Sequence, residues 1–185
     1  PAGSAAARIG RFVQVPGEAL FERVRGALGG LPLSAEDLGI VTPEVTALRD
    51  LFGLPGMRVL QFAFGGGEPN DYQPHRYVRN TVVYTGTHDN DTTVGWHVGL
   101  REAERLHAQS YLGSNDAEFH WTMIRAGLAS VANLAVFPIQ DLLGLGSEAR
   151  MNVPGRAEGN WRWRFAWDQL EPGRTEWLAT LARES

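Results

Sequence analysis

With 185 residues, 43% of them hydrophobic, the chain is long enough for one domain with a sizeable core, and no apolar run approaches the roughly 20 residues of a membrane-spanning helix. A net charge of −4 argues against nucleic acid as the main partner, and the lack of Cys removes disulfides and thiolate metal sites. The first residue is Pro, nothing near it reads as a signal peptide, and the expectation is a cytoplasmic protein represented here by a piece of a longer chain.

Residues 1–16 read as a loose entry with a short extended piece around Ile9–Val15. Pro16-Gly17-Glu18 opens a helix whose Leu20, Phe21, Val24 and Leu28 share one face, and Gly29-Gly30 ends it. Leu31 to Leu38 is expected as a strand ending in two carboxylates, Glu36 and Asp37. Thr42-Pro43 supplies an N-cap and a first-turn Pro for a helix to about Phe52. Arg58 to Phe64 is the next apolar strand, and Gly65 to His75 a long irregular loop of the kind that is usually functional or disordered. Its Gly65-Gly66-Gly67 run does not join a strand to a helix start, so it is not a phosphate cradle.

Thr81 to Thr85 is β-branched and aromatic, and reads as a buried strand. It runs straight into His88, Asp89, Asn90 and Asp91, after which Asp91 or Thr92 caps a helix over about 92–109. Asn115 and Glu118 form a capping pattern for a helix to about Asn133, with Phe119, Met123, Ile124, Leu128 and Val131 as its apolar stripe. Leu134 to Leu143 reads as a fourth strand and its exit, 144–167 as loop, and 168–183 as a closing helix.

Strands alternating with helices imply a parallel sheet with helices outside it. About four strands cannot close a (β/α)8 barrel, which takes about 250 residues, but they suit the C-terminal half of one. The expected fold is therefore α/β: the C-terminal half of a TIM barrel, about four parallel strands with flanking helices, residues 1–185 forming a single partial catalytic domain. In such a fold Glu36 and Asp89 end separate strands and face the same rim, where barrel enzymes carry their reacting groups. Two carboxylates across a sugar are what glycoside chemistry requires. A plainer reading of the same residues is a helix cap at Asp91 and a turn at Asp89.

Several motifs then coincide with one family. Ala35-Glu36-Asp37-Leu38-Gly39 with Thr42-Pro43-Glu44-Val45, Leu54 to Phe64, Val83 to Trp96, Gln140 to Asn152, and Gly159 to Arg164 stand in the order found in the amylomaltases. The chain thus resembles the 4-α-glucanotransferases, or disproportionating enzymes, of the α-amylase clan. The resemblance implies Glu36 as general acid/base and Asp89 as the carboxylate that stabilises the transition state. It implies His88 as a hydrogen-bonding partner of sugar hydroxyls, Phe64 and Asn152 as contacts to neighbouring sugars, and Asp37 and Asn90 as supporting groups. The family's nucleophile is an Asp in an Arg-x-Asp motif on an earlier strand, and this sequence has no such motif. The implied parent is a retaining enzyme that moves α-1,4-glucan segments between malto-oligosaccharides, and the 185-residue piece alone is expected to be inactive. Its expected partners are malto-oligosaccharides or α-1,4-glucan and the N-terminal half of the same barrel; no nucleic acid or membrane is expected. The reading from a different class is a non-catalytic α-glucan-binding module on a degenerate barrel.

No cofactor and no metal is expected. Counted as an EF-hand from Asp89, the sixth and twelfth positions are Val94 and Leu100, where Gly and Glu are needed. Trp161, Trp163 and Trp167 read as packing that seals the barrel floor, with a sugar platform as the other reading, and Arg150 and Arg162 read as loop anchors.

Overall fold

The computed structural model describes residues 13–39, 41–66, 69–115 and 117–184. Helix α1 (Gly17–Leu28) ends at Gly29, whose φ of 72° is the left-handed turn that glycine adopts at a C-cap. Helix α2 (Pro43–Leu51) starts with Pro in its first turn as expected. Neither helix buries a residue, and Leu20, Leu28, Val45 and Leu51 are exposed. Most of the extended piece expected around residues 9–15 lies outside the described residues.

Among the described residues the sheet has three strands, not the four expected: β1 (Gly56–Val59), β2 (Thr81–Tyr84) and β3 (Leu134–Val136), parallel and adjacent in chain order. Met57 lies opposite Val82, and Val82 opposite Leu134. Residues 31–38, expected as a strand, take no regular structure; they lie beside β1 without joining the ladder, and Leu33 N turns back to Leu31 O at 2.8 Å. Pro32 and Pro55 lack the N–H groups a ladder needs, and a single main-chain bond crosses between the two segments, from Ala35 N to Pro55 O at 2.8 Å.

Three other elements differ from the sequence reading. The strand expected over 58–64 stops at Val59, and Leu60–Ala63 wind as a 3-10 turn. The helix expected over about 92–109 is two helices, α3 (Thr93–Gly99) and α4 (Glu102–Leu112). Leu100 and Arg101 between them have ψ of 144° and 148°, which no helix accommodates. Glu104 restarts the helix by accepting a bond from Arg101 N at 3.3 Å. Helix α5 (Phe119–Leu128) is shorter than expected: Glu118, at φ 52°, precedes it without a side-chain cap, and Val131 is exposed beyond its end. The exit of β3 is helical, α6 (Ile139–Leu143), and the chain closes with α7 (Pro172–Glu184).

The core lies between the sheet and helices α3 to α5. Leu60, Ala63, Phe64, Val83, Ala108, Phe119 and Met123 form one buried cluster, with Trp96 and Tyr111 against its side. A sheet with helices packed against it and both ladders parallel is the layering of part of a β/α barrel. Among the described residues no helix is long and apolar enough to cross a membrane.

Candidate active site

An open cleft of about 1060 Å³ lies over the C-terminal ends of the strands. Each strand end contributes to it: Phe62 after β1, Tyr84 and the 86–92 loop after β2, Val136 and Phe137 after β3. Glu36 comes to the same cleft from the irregular segment beside β1. Glu36 and Asp89 thus both line this cleft, Asp89 from the loop after β2 and Glu36 from a segment that is not a strand. Glu36 is exposed, and Asp89 is about half exposed in its side chain.

The Asp89 loop is held from several directions. Asn90 Oδ1 accepts from Thr87 N at 2.9 Å and Thr87 Oγ1 at 2.8 Å, closing the turn. Thr92 caps α3 by accepting from Gly95 N at 3.1 Å, so Thr92 is the cap and Asp91 is not. Asp91 instead accepts from Ser147 Oγ at 2.7 Å, while Gln61 Nε2 donates to the Asp91 carbonyl at 2.9 Å. Arg150 donates to the Asp89 carbonyl at 2.7 Å and to Asn152 O at 2.9 Å, the anchoring role expected of it. Gly86 has no room for a side chain: a Cβ there would stand 2.7 Å from Gln61 Nε2 and 3.3 Å from Asn90 Cβ.

His88 Nε2 is 3.4 Å from Asp89 Oδ1, and its ring lies 5.2 Å from that of Trp161. Trp161 therefore stands at the rim beside His88, not on a floor. Gly159 at φ 85° and Trp161 at φ 60° turn the chain back, and Trp161 N donates to Met151 O at 2.7 Å. Trp163 and Trp167 flank Phe165, with Trp167 79% exposed, so it seals nothing among the described residues. Arg162 is exposed.

Phe64 is 1% exposed and packs on Trp96 and Tyr111, so it cannot meet a sugar. The cause is the 3-10 winding after β1. Leu60 and Ala63 eclipse each other on the core side, Phe64 follows them, and Phe62 is left at the cleft. Phe62, 39% exposed and edge-on to Tyr72 at 5.3 Å, is the aromatic that the sequence reading missed. Asn152 Nδ2 donates to Asp89 Oδ1 at 2.5 Å, so in this structure it engages the carboxylate itself.

Glu36 is positioned by its neighbour. Asp37 is buried, accepts from Met57 N at 2.7 Å, and pairs with Arg49 at 2.5 Å and Arg58 at 3.3 Å. These contacts pin the segment to β1 and leave Glu36 free over the cleft. Asp141, in the first turn of α6, is fully buried. Burial pushes its carboxyl pKa up, against the opposing effect of hydrogen bonds from Thr85 and Thr93. His120 is also buried, and burial together with the Arg174 charge lowers its pKa.

Carboxylates and aromatic side chains gather around an open cleft at the C-terminal ends of parallel strands, the place where enzymes of the α/β-barrel class carry their reacting groups. The 4-alpha-glucanotransferase family model matches residues 1–170. The Thermus thermophilus 4-alpha-glucanotransferase is 49% identical over 98% of this chain and 38% of its own length. The Synechocystis 4-alpha-glucanotransferase is 50% identical over 97% of this chain and 35% of its own. A solved structure of Streptococcus agalactiae amylomaltase in complex with acarbose superposes with a TM-score of 0.86 at 33% identity, covering 93% of this chain and 35% of that one. The chain belongs to the 4-alpha-glucanotransferase family and spans little more than a third of the length of these relatives.

Proposed function

We propose that residues 1–185 form the partial catalytic domain of a retaining 4-α-glucanotransferase that moves α-1,4-glucan segments between malto-oligosaccharides. Glu36 protonates the departing glycosidic oxygen, while a carboxylate from outside this sequence attacks the anomeric carbon and forms the glycosyl-enzyme. Glu36 then takes the proton from the acceptor hydroxyl of a second glucan as the acceptor displaces the enzyme carboxylate. Asp89 stabilises the positive charge that develops on the ring, and His88 hydrogen-bonds its hydroxyls. Asn152 keeps Asp89 oriented from one side, and Phe62, Tyr72 and Trp161 offer faces for the neighbouring sugars.

The observation that carries this reading is that Glu36 and Asp89, from separate segments, line one cleft at the strand ends. The acarbose held by the Streptococcus agalactiae relative supports a glucan-like ligand. The partner that completes the site is the N-terminal half of the same barrel. The setting we propose for it is the cytoplasm.

The test uses the intact protein with maltotriose as sole substrate. Glucose and longer malto-oligosaccharides are the expected products, and Glu36→Gln removes them while oligosaccharide still binds. Binding without turnover by the unaltered intact protein would favour the glucan-binding module instead.

A further inference from the structure

We propose that Asp141 is a positioning residue for Asp89, its buried carboxylate clamping together the two ends of the loop that presents Asp89 and His88. The proposal rests on the glucanotransferase reading and adds to it a residue that touches no substrate.

The loop in question, residues 86–92, begins after Thr85 and ends before Thr93, the first residue of α3. Thr85, Thr93 and Asp141 are each fully buried. Thr85 Oγ1 donates to Asp141 Oδ2 at 2.5 Å, and Thr93 Oγ1 donates to the same oxygen at 2.8 Å. Thr93 N donates to Oδ1 at 2.7 Å. One side chain thus ties the exit of β2, the start of α3 and the start of α6 together behind the loop. In front of it, Arg150 and Asn152 hold Asp89 from the cleft side, but both are only partly buried. The rigid side of the arrangement is the buried one.

The chemistry of the group fits this task. A carboxylate accepts and does not donate, so it fixes the direction of both threonine hydroxyls and the amide at once. A carboxamide has one accepting oxygen: kept on the two hydroxyls, it turns its NH2 toward the Thr93 N–H, and turned the other way it sets its NH2 against both hydroxyls. Keeping a carboxylate here has a cost, since burial disfavours the charge and the groups contacting it are neutral. A packing role alone would be met by an apolar side chain. A carboxyl group placed here and bonded to both ends of the loop points to geometry, because its three bonds fix Thr85 and Thr93 relative to α6.

The test uses the intact enzyme with Asp141→Ala, Thr85→Val and Asp141→Asn, alongside unaltered protein and Glu36→Gln. Each variant is read in three ways: kcat and KM for maltotriose per folded molecule, the thermal midpoint, and hydrogen exchange of the amides of residues 86–92. For Asp141→Ala the expected result is a kcat lower by about tenfold or more with KM little changed, because small displacements of a reacting group act on the transition state. Exchange in 86–92 should rise by about tenfold, beyond any rise elsewhere in the chain. Asp141→Asn, which keeps the volume and one accepting oxygen, should give a kcat between those of Asp141→Ala and the unaltered enzyme. If Asp141→Ala does not fold, Thr85→Val decides, since it removes one of the bonds and leaves those from Thr93. An unchanged kcat, a loss that appears only in KM or in the thermal midpoint, or unaltered exchange across 86–92 would overturn the proposal. If unaltered protein transfers no glucan, the proposed function fails, while the exchange measurement still reports on the clamp.

Discussion

The two carboxylates of the cleft are mounted in different ways. Asp89 sits on a loop enclosed by elements of this chain: Gln61 from the turn after β1, Ser147, Arg150 and Asn152 from the segment after α6, and Asp141 behind it. Glu36 sits beside the sheet on an irregular segment with one main-chain bond to Pro55, steadied by the ion pairs of Asp37. Under the proposed function, an exposed position at the sheet edge leaves Glu36 open to the oxygen that departs and to the acceptor hydroxyl that takes its place. The enclosed position suits a group whose work is to hold charge at a fixed point.

The largest expected effects fall on the carboxylates themselves. In the intact enzyme Glu36→Gln should lower kcat by about a thousandfold, the range of lost general acid–base catalysis, and maltotriose disproportionation measures it. Asp89→Asn should cost about a hundredfold or more through lost charge stabilisation. A variant of either residue with more than a tenth of normal turnover would mean that the mountings differ for reasons unrelated to this chemistry.

Asp37→Ala tests the Glu36 mounting. It leaves Arg49 and Arg58 without their shared carboxylate, a change that costs about 3 kcal/mol for a buried pair, read by denaturant unfolding. Gly86→Ala tests the other mounting: its methyl would displace Gln61 from the Asp91 carbonyl, with a cost of about 1–3 kcal/mol in stability. It should also lower kcat, whereas Gly26→Ala, where a Cβ meets nothing, should not.

Phe62 and Phe64 separate site from core. Phe64→Ala should cost about 3–5 kcal/mol of stability. Phe62→Ala should instead raise KM for malto-oligosaccharides several-fold with little loss of stability, about 1 kcal/mol or less. The sequence pattern could not tell these two apart, because an extended strand and a 3-10 turn place the same aromatics on different sides.

What the sequence revealed follows the range of the physics. Caps and stops such as Pro43, Gly29 and Thr92 were legible because donor and acceptor lie within a few residues. So were the carboxylates at the rim, since an apolar run falling into acidic residues is a local signal. Asp141 was not, because its partners Thr85 and Thr93 lie 56 and 48 residues away and its surroundings read as a strand and its exit despite Pro138. The break at Leu100 left a faint trace in Gly99 and Glu104, and the missing fourth strand left one in Pro32 and Pro55. Trp161 was misplaced because its position depends on two left-handed residues, Gly159 and Trp161 itself.

The smallest expected effect concerns His120. Its pKa is lowered on folding, so it binds fewer protons in the folded than in the unfolded state. Its contribution is present above its unfolded value of about 6.5 and is lost as pH falls through the lower folded value. Denaturant unfolding at a series of pH values should show this acid-side loss shrinking in His120→Asn, with turnover at pH 7 unchanged.

The most direct measurement is a crystal structure of the intact protein, carrying Glu36→Gln, with a malto-oligosaccharide bound. One glucose ring should lie in the cleft with the residue 36 amide at the glycosidic oxygen and the Asp89 carboxylate on the ring's other side. An oligosaccharide seated in the cleft but out of contact with either position would contradict the assignment.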